Sequence, residues 1–138
     1  MLCALSPFGL TAQDHLPAEG RYAMPLRLPL SLSANFGELR PNHFHSGVDM
    51  KTGGVTGKPV YAVADGYVSR IFVSPAGYGH ALYVTHPSLG SMSVYGHMEE
   101  FAPALEEYTL AEQYRRHTFA VDLFPSFGLF KVKKGDLI

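Results

Sequence analysis

Apolar and polar positions alternate most regularly between residues 60 and 97. Val60-Tyr61-Ala62-Val63-Ala64 runs into Asp65-Gly66, a two-residue hairpin signal, and the pattern resumes as Tyr67 to Val73. Alternation turns Val68 inward and, less regularly, Ile71 and Val73. Pro75 to Gly79 reads as a second turn, and His80 to His86 and Ser91 to His97 as two further strands joined across Pro87-Ser88-Leu89-Gly90. The centre of the chain is therefore expected to be an antiparallel meander.

The flanks differ. Residues 14 to 29 carry Pro17, Pro25 and Pro29 and predict an extended lead-in that cannot stay helical. Leu30 to Phe36 predicts a first strand closed by Gly37, and Lys51 to Pro59 a glycine-rich connection. Between Phe101 and Arg116 the period changes. Pro103 suits a helix start, Thr109 to Glu112 fits a capping box, and Glu106, Glu107, Glu112, Arg115 and Arg116 supply a polar face, so one or two short helices are expected here. Phe119 to Phe124 and Phe130 to Val132 predict strands. After the Lys134-Gly135-Asp136 turn the last apolar residues read as a strand with no partner to complete it.

Composition narrows the class. A chain of 138 residues holds one domain with a real core rather than two ordinary ones. The net charge of -1, with only Lys131, Lys133 and Lys134 clustered, argues against nucleic acid and against a polybasic membrane patch. A single cysteine, Cys3, excludes an internal disulfide framework and a cysteine-rich zinc knuckle. Residues 1 to 13 are apolar and then small and polar, like the later part of a secretory signal without its basic start, and no segment is a transmembrane candidate.

Seven histidines are the compositional excess, and two of them stand with a carboxylate in Asn42-His43-Phe44-His45-Ser46-Gly47-Val48-Asp49. Imidazole and carboxylate are ligands for a borderline divalent metal. On a straight strand, positions four apart are roughly 13 Å from each other, whereas donors on one zinc lie within about 3.5 Å. A metal shared by His45 and Asp49 therefore requires a bend, with Gly47 as the permissive residue. The same residues also suit a solvated loop. His97, at the end of a predicted strand, suits either a cleft-facing role or a ring satisfied by a backbone carbonyl. His43 suits a cleft-lining role or solvent, His80 a turn-stabilising one, and His86 a structural one. His15 and His117 are assigned to the surface.

Five ordered motifs add a resemblance. Asn42 to Asp49, Gly57 to Val68, Tyr78-Gly79, Val94 to Met98 and Val132 to Ile138 follow one another as in the M23 family of peptidoglycan-cleaving metallopeptidases, the lysostaphin-like or LytM-type endopeptidases. The resemblance covers about residues 30 to 138, and the insert at 101 to 127 resembles a variant seen in envelope proteins of the Bacteroidetes type. It implies a mainly β fold, an antiparallel sheet of the barrel-sandwich hybrid type with a short helical insert. It implies Zn2+ as cofactor, His45 and Asp49 as the first two ligands, and His97 as the histidine of a Tyr-x-His motif that helps stabilise the oxyanion. Peptidoglycan peptides are the implied substrate and the cell envelope, periplasmic or extracellular, the implied location. His43 and Tyr78 border the implied groove as candidate substrate contacts.

The family pattern also has a His-x-His motif after the Lys-Gly-x-x-Ile turn, supplying a third ligand and the general base. No His-x-His follows His97 here, so the expectation is a domain lacking its C-terminal strands, with weak zinc binding and little or no hydrolysis by this polypeptide alone. The alternative is a non-catalytic wall-binding or regulatory module with a degenerate metal site. A third possibility rests on Val63 to Val68 and Val132 to Ile138, which also resemble the swapped hairpins of biotinyl or lipoyl carriers, although the tip here is Asp65-Gly66 rather than a modifiable lysine.

Overall fold

The computed structural model describes residues 20 to 138; the signal-like segment 1 to 13 and the start of the lead-in lie outside the described residues. Among these residues seven strands and one α-helix follow in order. They are β1 (Leu32–Ala34), β2 (Asp49–Met50), β3 (Gly66–Val73), β4 (His80–His86), β5 (Ser91–Met98), α1 (Pro103–Arg116), β6 (Val121–Leu123) and β7 (Lys131–Val132), with a short 3-10 turn at Pro87–Leu89. The protein is mainly β and antiparallel, as expected. Strands β5-β4-β3-β6 lie side by side, β7 shares with β6 the free edge of β3, and β1 and β2 form a separate two-stranded sheet.

The meander β3-β4-β5 matches the sequence pattern, and the irregularity in β3 has a cause. Its register with β4 slips between Val68 and Arg70. An extra residue at that point inverts the alternation, so Val68, Ile71 and Val73 all reach the core. They pack with Leu82, Val84, Tyr95 and Leu123.

Two expectations fail at the Asp65-Gly66 pair. Val60 to Ala64 does not fold back on β3. Ala62 N–H donates to the Asp136 carbonyl at 2.9 Å, Gly135 N–H to Ala62 at 2.8 Å and Ile138 N–H to Val60 at 3.1 Å. The last residues thus do have a strand partner, and Ile138 is buried. Asp65 is a corner rather than a hairpin tip: its carboxylate accepts the Lys134 N–H at 2.8 Å and the Lys133 ammonium at 3.2 Å, and these bonds hold its carboxyl below the usual carboxylate range. Gly66 is needed for space. A Cβ there would overlap the Thr85 carbonyl oxygen and come within 2.9 Å of the His86 ring.

The helix is a single one and starts at Pro103, where the missing N–H costs nothing. The expected capping box at Thr109 is not formed. Thr109 lies inside the helix, buried, with its hydroxyl donating to the Leu105 carbonyl at 2.7 Å. Glu106 does the capping instead by accepting the Phe101 N–H at 3.0 Å, while Glu112 pairs with Arg115 and Arg116. Bonds from His117 N–H to Tyr114 and from Thr118 N–H to Gln113 close the helix end with His117 left-handed at φ 51°. Leu105 and Thr109 are the buried positions of α1, and Tyr108 packs edge-on to Phe130 with ring centroids 5.2 Å apart.

Candidate functional site

The stretch before β2 folds into a small hairpin. Gly37 N–H donates to His45 at 2.7 Å, His45 N–H to Glu38 at 2.8 Å and Arg40 N–H to His43 at 2.9 Å, with Leu39 and Phe44 bridged between them. The chain then bends through Gly47 and enters β2 at Asp49, which lies opposite Ala34 of β1. The required bend is present, but the reason assigned to Gly47 is not. Gly47 is outside the left-handed region, and a Cβ there would meet His45 Nε2 only at an ordinary 3.9 Å.

This path brings His45 and Asp49 together, with Nε2 3.3 Å from Oδ1. The other ring nitrogen of His45, Nδ1, lies 3.0 Å from the Asn35 carbonyl oxygen. A carbonyl only accepts, so Nδ1 carries the hydrogen. In the neutral ring Nε2 then turns a lone pair toward a carboxylate oxygen, two acceptors with nothing to share. A cation between them satisfies both, and ligand bonds of about 2.0–2.2 Å at a tetrahedral angle separate two donors by roughly 3.3–3.5 Å. The carbonyl behind the imidazole is the usual orienting partner of a metal-binding histidine. The donor pair therefore fits a zinc-sized ion. Among the described residues no cluster of three or more His, Cys, Asp or Glu side chains is arranged to hold one.

His97 belongs to a second group. It is the penultimate residue of β5 and is left-handed, φ 57°, a costly placement for a residue with a Cβ. Its N–H donates to the Tyr78 carbonyl at 2.8 Å and its exposed ring lies edge-on to Tyr78, with centroids 6.0 Å apart. Tyr78 in turn lies over Gly96, where a Cβ would stand 3.0 Å from the Tyr78 ring. No hydrogen bond joins His97 to the His45–Asp49 pair among the described residues.

The remaining described histidines separate cleanly, and His15 lies outside the described residues. His43 sits at the hairpin turn, exposed, with Nδ1 2.7 Å from Asn42 Oδ1, so it does not share an extended strand face with His45. His80 Nδ1 lies 2.9 Å from the Glu99 carbonyl oxygen and its ring packs near Phe101 and Phe119. His86 is fully buried between the Asp65 carbonyl and the Ser93 hydroxyl. His117 is exposed at the helix end.

Arg40 is the residue that sequence reasoning missed. Its Nη2 donates to Asp49 Oδ2 at 3.2 Å. Nine residues of separation carry no periodic signal, and only the hairpin makes the two neighbours.

The sequence model of peptidase family M23 matches residues 43–111, half of the chain, a span that includes His45, Asp49, Tyr78 and His97. The chain belongs to peptidase family M23. No curated protein and no solved structure matches it. Membership in M23 makes this a hydrolase domain of the metallopeptidase class, and its members are generally metal-dependent. Among the described residues no helix of this M23 domain is long and apolar enough to cross a membrane.

Proposed function

We propose that this domain is of the zinc-dependent endopeptidase type directed at the peptides of the bacterial cell wall, at the cell envelope, and that this polypeptide by itself cleaves them weakly or not at all. The observation that carries the reading is the convergence of His45 Nε2 and Asp49 Oδ1 at 3.3 Å with the histidine oriented from behind by Asn35. His45 and Asp49 would hold the ion. When bound, zinc polarises a peptide carbonyl and makes a water nucleophilic at neutral pH.

The chain's own residues contribute positioning and charge. Asn35 fixes the tautomer of His45, so the nitrogen facing Asp49 is the one free to donate electrons. His97, exposed on a rigid strand end, is suited to donate a hydrogen bond to a substrate oxygen that gains negative charge. Tyr78 beside it offers an aromatic edge against which an extended peptide can lie, and His43, exposed on the neighbouring hairpin, is a further candidate contact.

Catalytic zinc takes three protein ligands, and the described residues bring two together. That observation favours a second reading for this polypeptide acting alone: a wall-binding module with weak metal affinity. One experiment separates the two. The 138-residue protein is titrated with Zn2+ and then incubated with purified peptidoglycan, following both sedimentation with the wall and release of free amino groups. The expected result is weak zinc binding that His45→Ala and Asp49→Ala each abolish, wall association, and little or no amine release. Zinc binding untouched by both substitutions would overturn the metal assignment. Rapid, chelator-sensitive cleavage would overturn the second reading in favour of a complete enzyme.

A further inference from the structure

The end of the sheet that carries His97 also carries an exposed ring from a distant part of the chain. Register aligns Met98 with His80, His80 with Val73 and Val73 with Val121, a single row across β5, β4, β3 and β6. His97 stands next to that row on β5, and Tyr78 and Phe119 each stand two residues outside it, ahead of β4 and β6. Three strand spacings of about 4.8 Å put the β6 side roughly 14 Å from His97, a distance that an extended peptide covers in about four residues.

Phe119 is 61% exposed, and its backbone is held in place. Gln113 Nε2 donates to the Phe119 carbonyl at 2.6 Å, the Thr118 N–H to the Gln113 carbonyl at 3.1 Å and the Thr118 hydroxyl to the Ala120 carbonyl at 3.2 Å. The Phe119 ring lies beside that of His80, with centroids 6.4 Å apart. His80 in turn packs near buried Phe101, at 5.5 Å, and its Nδ1 is fixed by the Glu99 carbonyl at 2.9 Å. The exposed ring is thus seated on the core. A ring already fixed loses little freedom when a ligand covers it, which suits it to anchor one.

We propose that Phe119 is a specificity-determining contact for the wall peptide: it covers an apolar side chain of an extended peptide whose backbone passes Tyr78 and His97. The ligand class is a peptide of at least about four residues with an apolar side chain toward its β6 end. This inference rests on the reading of Tyr78 and His97 as peptide contacts.

The test follows sedimentation of the 138-residue protein with purified peptidoglycan, for wild type, Phe119→Ala, Phe119→Leu and Phe127→Ala. Phe127 is more exposed still, at 83%, and lies beside Tyr67 at the opposite end of β3, so it controls for unspecific adhesion. Phe119→Ala should weaken association about tenfold, Phe119→Leu should keep most of it, and Phe127→Ala should match wild type. Stem peptides cut from the wall should compete with wild-type binding, and peptide-free glycan should not. Wild-type binding by Phe119→Ala, or an equal loss in Phe127→Ala, overturns the inference and leaves the wall-peptide reading standing. Competition by glycan alone overturns the peptide as ligand. If Phe119→Ala does not fold, the ring-proton resonances of Phe119 in wild type decide: signals that shift on addition of stem peptides support the contact, and unmoved signals overturn it. Wild type that does not sediment with peptidoglycan overturns the wall-peptide reading itself, and this inference with it.

Discussion

The hydroxyl of Tyr95 and the ring of His86 are joined through Ser93, with 2.9 Å between the two hydroxyl oxygens and 2.8 Å from Ser93 to His86 Nε2. At one end the Val63 N–H donates to Tyr95 at 3.0 Å; at the other, His86 Nδ1 meets the Asp65 carbonyl at 2.9 Å. Ser93 thus links Tyr95, which accepts the Val63 N–H, to His86, whose other ring nitrogen meets the Asp65 carbonyl. The chain of bonds starts on β5 at Tyr95, two residues before His97, and crosses β4 to the corner that precedes β3.

Tyr95→Phe removes the hydroxyl that joins Ser93 to the Val63 N–H and leaves that N–H facing an apolar ring. The bond is half-buried, so its loss should cost about 1 kcal/mol, and the loss should appear in chemical denaturation. A change under about 0.5 kcal/mol would mean that water or a backbone shift replaces the hydroxyl.

The two glycines flanking functional stretches should respond differently. Gly66→Ala drives a Cβ into the Thr85 carbonyl and the His86 ring, neither of which can retreat from the sheet, so destabilisation of about 3 kcal/mol or more is expected. Gly47→Ala meets only the His45 ring at ordinary contact distance and should stay within about 1 kcal/mol of wild type. Thermal melts of the two variants check the contrast, and equal losses would refute it.

His97 holds a left-handed backbone at the end of β5. Relief of that strain in His97→Gly should leave the fold as stable as wild type or up to about 1 kcal/mol more stable, while wall-peptide processing or association falls. A variant clearly less stable than wild type would place His97 among the structural residues instead.

Acid stability should depend in part on Arg70 and Asp122. The guanidinium makes two bonds to the carboxylate, at 2.7 and 2.8 Å, and holds the Asp122 carboxyl below its ordinary range. A lowered folded pKa means that the ion pair contributes above the unfolded value, near about 4, and that its contribution disappears as pH falls through the lower folded value. Between about pH 5 and pH 3, Asp122→Asn should therefore lose less of its melting temperature than wild type does. Some slope should remain, because Asp65 and Glu112 are lowered in the same direction by their lysine and arginine partners. The pair is partly exposed, so added salt should shrink the difference. Parallel acid limbs at low salt would rule the pair out as a contributor.

Much of this protein was determined by the sequence alone, because the signals are local. Alternating side chains and turn residues specify β3, β4 and β5; proline at the first helical position specifies where α1 begins; and an ordered set of short motifs carries the family. Tertiary structure decided the rest, because packing between distant segments has no local period. Val60 to Ala64 pairs with residues 135 to 138 rather than with its sequence neighbour, since the Asp65 carboxylate is taken by Lys133 and Lys134 and turns the chain away. The phase slip in β3 follows from its register against β4. Thr109, spelled like a cap, is drawn inside the helix when Pro103 puts the cap at Ala102, about two turns earlier. At the site, spacing offered two ligand types four residues apart. The hairpin, the carbonyl of Asn35 and the guanidinium of Arg40 decide which nitrogen and which oxygen face each other, and at 3.3 Å.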